Sequence, residues 1–347
     1  MEELINREEA VNHIEHHGQR DPNLVIFEYL TRIGEHERAK SFFEYRKKWE
    51  AVRRGNLALP FPLHVTFGLN DSCNLACAHC YRTHNKDKTS KKALECQEVF
   101  KLIEECKSLN VPSIGFGTES EMFLYKDIVK VIQFTSEKGF DDIWVCTNGQ
   151  LLYSEMIELI LDSKITRLLI SIDAITPETY SKVRGKGFFL VMENIFSFLG
   201  KREQKKTALP ILRVSFVRYN LTEHESQRFI QFWEEIANEV DIQPLIDVKN
   251  INQLKYSQIE NPKCNYPESM LYINWNGDYK PCCSEFCKFL TIGNIREMNI
   301  YQAWTSDKMK DLRRQLRGEK PLNRYCINCL NSLKSNENYN SLEKKER

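Results

Sequence analysis

The stretch Cys73-Asn74-Leu75-Ala76-Cys77-Ala78-His79-Cys80 decides how this chain is read. It sets three thiols in one short loop, at spacing C-x3-C-x2-C. Two thiols give a weak redox or zinc signal, and four close a zinc site. Three thiolates in a tight loop can hold three irons of a [4Fe–4S] cube and leave the fourth iron without a protein ligand, because such clusters take thiolates in short runs. An open metal position is where a substrate or cofactor binds. The plainer alternative is a zinc knuckle or three core cysteines. Isolated cysteine runs in cytosolic proteins are more often metal-binding or catalytic.

Just upstream, Leu63 to Leu69 (LHVTFGL) alternates and is rich in apolar and β-branched residues, the pattern of a strand. The cysteines therefore fall at that strand's C-terminal end, the end that carries the active site in parallel α/β barrels. Motif and flank resemble the radical S-adenosylmethionine (SAM) superfamily, whose signature is C-x3-C-x-(aromatic)-C. His79 stands at the aromatic position and still offers a flat ring. The resemblance runs over residues 60 to 330.

Composition narrows the alternatives. With 41% apolar and 28% charged residues in 347, a sizeable core is available. A net charge of +1 argues against bulk binding to nucleic acid, which needs a basic face. No segment approaches the roughly 18–20 unbroken apolar residues of a membrane span. The acidic N-terminus lacks a signal-peptide core. Twelve cysteines without an export signal predict a cytoplasmic, reducing setting and metal ligation rather than disulfides.

Residues 1–60 read as a helical extension. Leu24, Ile26, Phe27, Leu30 and Ile33 share one helical face, and a second charged stretch carries Phe42, Phe43, Tyr45 and Trp49. His13, His16 and His17 read as a solvated helix face, with no cysteine near to complete a metal site. Residues 61–250 alternate strand and helix. Strands are expected at Leu63–Leu69, Ser113–Phe116, Asp142–Cys146, Arg167–Ile172, Ile211–Val217 and Val240–Leu245. Helices fall between them, including one from Thr222, as N-cap, to Asn238. Cys96 and Cys106 lie on the buried face of the helix after the first strand, as core thiols. Six strands separated by helices imply a parallel sheet. With six units rather than eight it is an α/β, partial (β/α)6 TIM-like barrel, the fold the resemblance also implies.

The loops after these strands carry what the resemblance implies about SAM. Gly117-Thr118-Glu119-Ser120 stands where the family has Gly-Gly-Glu-Pro, whose backbone meets the SAM amino group. Thr147-Asn148-Gly149 resembles the family's TNG. Ser171 and Asp173 resemble a ribose-binding Ser-x-Asp, and Arg184 would be the cation for the SAM carboxylate. His79, Gly117, Thr118, Glu119, Asn148, Ser171, Asp173 and Arg184 are thus the expected SAM contacts, and Cys73, Cys77 and Cys80 the expected ligands of the SAM cluster.

Residues 251–335 form a small C-terminal iron–sulfur domain, and 336–347 a polar tail. Asn276-Gly277 between two strand-like runs is a type I′ hairpin signal that brings Cys282 back toward Cys264. Cys326-Ile-Asn-Cys329 is a short chelating loop. This region resembles the SPASM and twitch domains of radical SAM enzymes. The resemblance implies one auxiliary [4Fe–4S] cluster on Cys264, Cys282, Cys326 and Cys329, with Cys283 and Cys287 spare. A zinc site on the same four thiolates is the alternative.

Together these readings imply two [4Fe–4S] clusters, SAM, and an electron donor such as flavodoxin or ferredoxin. The expected reaction is reductive SAM cleavage to a 5′-deoxyadenosyl radical, hydrogen abstraction and net oxidation. The expected substrate is a sugar or aminocyclitol-like metabolite, with a ribosomal peptide as the alternative, since the first 60 residues lack a strand-rich leader-binding pattern. A non-enzymatic Fe–S or zinc scaffold is the competing class.

Overall fold

The computed structural model describes residues 15–55, 57–84, 92–246, 259, 262, 264–283 and 290–331. Strand β1 (Glu15–His17) is followed by helices α1 (Pro22–Arg32) and α2 (His36–Arg53). Then come β2 (His64–Phe67), α3 (Tyr81–His84), α4 (Cys96–Ser108), β3 (Ser113–Phe116), α5 (Ile128–Lys138), β4 (Asp142–Thr147), α6 (Ser154–Leu161) and β5 (Arg167–Ser171). The barrel continues through α7 (Pro177–Val183), α8 (Phe188–Gln204), β6 (Ile211–Arg218), α9 (Ser226–Trp233) and β7 (Glu239–Pro244). The C-terminal part holds α10 (Tyr266–Ser269), β8 (Met270–Ile273), β9 (Asp278–Lys280), β10 (Gly293–Asn294), α11 (Ile300–Thr305) and α12 (Asp307–Leu316).

Strands β2 to β7 pair in parallel, each with its neighbour in sequence. This is the expected partial barrel. Alternation explains it. Val65, Phe67, Ile114, Phe116, Ile143, Val145, Leu168, Ile170, Val214, Phe216, Val240 and Ile242 leave one face of the sheet and join one core with the helices. The intervening residues, among them His64, Ser113, Trp144, Ser171, Arg213 and Asp241, occupy the inner face. Period-2 alternation assigns the two faces.

Four features depart from the sequence reading. First, residues 15–17 form a strand, not a helix, and pair antiparallel with β7. His16 donates to Asp241 at 2.7 Å and lies 3.1 Å from Glu239, so it is no solvated helix face; His13 lies outside the described residues. Second, β8 pairs in parallel with β2, so the C-terminal hairpin extends the barrel sheet instead of standing apart from it. Third, the hairpin turn is not type I′. Only Gly277 takes a left-handed φ, +87°, and its N–H meets Asn274 O at 2.9 Å, the three-residue arrangement closed by a left-handed glycine. Fourth, Thr222 does not cap a helix. Its hydroxyl donates to Val217 O at 2.7 Å, and α9 begins at Ser226. Glu225 instead accepts the Ile175 N–H at 2.7 Å and the Thr176 N–H at 3.3 Å, holding the start of α7. Cys106 is fully buried as expected, whereas Cys96 is only half-buried. Cys287, most of residues 247–263 and the tail lie outside the described residues.

The N-terminal helices pack under the barrel. Ile26, Leu30, Phe42, Tyr45 and Val52 form a core with Leu63 and Ile211, which lie at strand starts. Arg38 donates to Phe140 O and Lys164 O, just before β4 and β5. This is the end opposite the cysteine loop, so α1 and α2 do not cover the barrel mouth.

The β1 clasp is pH-sensitive. Burial lowers the His16 pKa, but hydrogen bonds to Asp241 and Glu239 outweigh it and raise the ring to about 9. The stability it adds is fully present below about pH 6.5 and is lost as pH rises through about 9. Denaturant midpoints measured across that window should fall in the unaltered protein and flatten in His16→Gln. A half-exposed ring keeps the effect modest.

Candidate active site

Buried polar groups stitch the loops after β2, β3 and β4 together. Asn70 donates to Glu121 O at 3.1 Å and accepts the Ser72 N–H at 2.7 Å. The Glu121 N–H returns to Ser72 O at 2.9 Å. The Glu121 carboxylate accepts from Thr147 Oγ1 (2.8 Å), Asn148 N (2.9 Å) and Phe123 N (3.2 Å). Burial pushes its pKa up and these donors oppose the shift. Sequence reading missed Glu121. Its signal was an acid immediately before the Met122-Phe123-Leu124 turn, where it caps the N-terminus.

Asn148 brings the third loop to the cysteines. Its Nδ2 donates to Asn74 Oδ1 at 2.8 Å and lies 3.9 Å from Cys73 Sγ. The cysteine loop is also pinned from the far side, where Ala78 N–H donates to Val183 O at 2.8 Å at the end of α7. Cys80 N–H closes a turn onto Cys77 O at 3.1 Å. Cys77 is buried, whereas Cys73 and Cys80 are half-buried. Burial raises the Cys77 pKa, the Arg184 guanidinium lowers it, and Asp173 and the neighbouring Cys73 thiol raise it.

Asp173 is the hub on the other side. It has a left-handed φ of +60°, and its carboxylate is fully buried. Oδ1 accepts the Val217 N–H at 2.8 Å. Oδ2 takes Arg184 Nε at 2.8 Å and Nη2 at 2.5 Å, and lies 3.4 Å from His79 Nε2. Arg184 therefore has a partner within the chain. His79 packs edge-on against Tyr219, 5.8 Å between centroids, and its buried Nδ1 has no hydrogen-bond partner. Burial lowers the ring's pKa, so it stays neutral. Ser171 places its hydroxyl 3.2 Å from that of Ser215 on the inner face.

Gly117 holds a φ of +101°, and a Cβ there would lie 2.4 Å from Cys146 O. The backbone approaches β4 in a way no other residue allows. Thr118, exposed, follows with φ +103°. Glu119 turns toward Tyr272, Lys280 and Arg82, and burial raises its pKa. The expected SAM contacts thus divide. His79, Asp173 and Arg184 form one buried group, Asn148 joins the cysteine loop, Ser171 lies on the inner face, and Glu119 faces the hairpin.

Cys264, Cys282, Cys326 and Cys329 lie near one another. Burial raises the Cys264 pKa, and Cys282, Cys329 and Cys326 add to the rise as neighbours. Cys326 is pushed up to about 12 by burial and then by Cys282 and Cys329. Asn323 caps the helical turn that carries the last two, accepting the Cys326 N–H at 3.0 Å while its Nδ2 donates to Cys326 Sγ at 3.3 Å. Cys283 lies near Tyr266.

Both sets suit an iron–sulfur cluster. Clustered free thiols that raise one another's pKa ionise only when a cation compensates them, and the buried Nδ1 of His79, the residue before Cys80, has no hydrogen-bond partner. Four thiolates about 2.3 Å from one zinc would crowd together. Among the described residues, the group whose ligand atoms all lie within 4.8 Å is instead His16, Glu239 and Asp241. That group already pairs with Arg213. Among the described residues no helix is long and apolar enough to cross a membrane.

Residues 69–203 match the family described as the radical SAM superfamily, and residues 264–330 the iron–sulfur cluster-binding domain SPASM. The chain is similar to the antilisterial bacteriocin subtilosin biosynthesis protein AlbA of Bacillus subtilis, with 23% identity over 329 residues, 82% of this chain and 70% of the relative. Its fold is similar to that of SuiB from Streptococcus suis bound to precursor peptide SuiA (TM-score 0.54, 16% identity, 80% of this chain and 71% of that one). It is also similar to BtrN in complex with AdoMet and 2-DOIA (TM-score 0.51, 18% identity, 79% and 94%). The chain belongs to the radical SAM superfamily and carries a SPASM domain, so [4Fe–4S] clusters and SAM are its cofactors.

Proposed function

We propose that this chain is a radical peptide-modifying enzyme, acting by hydrogen abstraction with net oxidation of its substrate. The observation that carries the reading is the three-thiol loop at the C-terminal end of β2, locked to the loops after β3 and β4 through Asn70, Glu121 and Asn148. A cluster on Cys73, Cys77 and Cys80 with SAM bound supplies a 5′-deoxyadenosyl radical. The chain's own residues orient and shield. Asp173 fixes Arg184 and the neutral His79 beside Cys77, and the Gly117 backbone gives close approach from β3. Cys264, Cys282, Cys326 and Cys329 are the ligands of an auxiliary cluster suited to accept an electron.

The peptide class is favoured over a small metabolite because AlbA, a bacteriocin biosynthesis protein, is similar over 82% of this chain, and SuiB is described with a precursor peptide. The fold shared with BtrN, bound to 2-DOIA, supports the metabolite reading as the second choice. The setting is cytoplasmic, with a flavodoxin- or ferredoxin-type donor. The test is anaerobic reconstitution. About eight irons per chain, the content of two four-iron clusters, with 5′-deoxyadenosine release under dithionite, is the expected result. Bound zinc without SAM cleavage would make the chain a scaffold.

A further inference from the structure

Lys280 ends β9, across from Tyr272 on β8. Its neighbour Tyr279 belongs to the core on the helix side of the sheet, so Lys280 projects from the opposite face. That is the inner face, where the Tyr272 hydroxyl lies so close to Gly68 that a Cβ there would meet it at 2.1 Å. Lys280 is 4% exposed, yet no hydrogen bond and no ion pair joins its ammonium to another residue among those described. The ammonium is not itself a fully enclosed atom, so the tip of an otherwise buried side chain opens onto the space beside it. Its acidic neighbour is Glu119, within electrostatic reach but outside ion-pair contact. On the other side of Glu119 stands Arg82, already committed to Asp71 at 2.5 Å and to Asp71 O at 3.0 Å.

The location is as informative as the missing partner. Glu119 follows Gly117 in the loop after β3, Arg82 comes two residues after Cys80, and Lys280 comes two residues before Cys282. Lys280 thus stands on the inner face at the level of Tyr272 and Thr66, between the loop after β3 and the segment that leads to Cys282. We propose that Lys280, with Glu119 beside it, is a recognition subsite for a carboxylate carried by the substrate. Lys280 takes the carboxylate, and Glu119 accepts an N–H of the same residue. The inference rests on the peptide reading above, for which the carboxylate is a chain terminus or an acidic side chain.

The test uses the reconstituted full chain and reads binding, not SAM cleavage, so it fails separately from the proposed activity. Saturation-transfer NMR is run with trialanine, with trialanine amide, and with N-acetyl-glutamate N-methylamide. The expected result is binding of one acid or both, with the amide at least tenfold weaker; which acid binds separates a terminus from a side chain. Lys280→Met should weaken acid binding at least tenfold without lowering the thermal midpoint, and Lys280→Arg should restore it. Equal binding of acid and amide, no binding of either acid, or unchanged binding in Lys280→Met would overturn the proposal. So would a lower midpoint in Lys280→Met, which would make Lys280 a structural partner of Glu119. The acid–amide comparison needs no variant and stands even if one misfolds.

Discussion

Cys73→Ala/Cys77→Ala/Cys80→Ala should release no 5′-deoxyadenosine under dithionite, while its iron falls from about eight to about four per chain, one four-iron cluster remaining. The reason is the separation of the two thiol sets in the fold. The first hangs from β2 and is held by Asn148 and Val183. The second draws on the segment before α10, the end of β9 and the helical turn capped by Asn323. Removing three thiols from the first leaves every support of the second in place. The removed side chains are small and mostly half-buried, so stability should change little beyond the lost cluster. Iron analysis and chromatography of the quenched reaction check both halves. Loss of all iron would mean that the sets do not form independently.

Asp173→Ala should be the most damaging single change to the apoprotein. Arg184 is buried, and Asp173 is its carboxylate. Removing one partner of a buried ion pair strands the other charge, at a cost of about 3–5 kcal/mol. The Val217 N–H also loses its acceptor, which adds about 1–3 kcal/mol if no water replaces it. Denaturant unfolding of the apoprotein should show the loss. Asp173→Asn, which can still accept from Val217, should recover part of it. If Asp173→Ala unfolds at the same denaturant concentration as the unaltered chain, Arg184 has another partner and the hub is wrongly drawn.

Local signals made most of the barrel legible. Thiol spacing is a property of eight consecutive residues, and a strand announces itself by alternation over four to eight. The β2–β7 order then follows from chain order, because parallel neighbours joined by helices pair in sequence. Much of what escaped was non-local. Three residues of β1 are too few to show a period, and only the edge of β7 makes them a strand. The parallel pairing of β8 with β2 joins segments some two hundred residues apart. Glu119 was read as the family's glutamate, yet Glu121, two residues on, binds the loop after β4. Arg184 was assigned outward to SAM, and the fold supplies a partner from eleven residues earlier. Thr222 fits a capping pattern, but its hydroxyl bonds backward into the preceding turn.

Electron paramagnetic resonance of the dithionite-reduced protein, recorded before and after adding SAM, tests the central claim most directly. An iron left open by Cys73, Cys77 and Cys80 predicts that SAM changes the signal of the unaltered chain and leaves that of the triple alanine variant unchanged. A spectrum of the unaltered chain indifferent to SAM, or a variant that still responds, would contradict it.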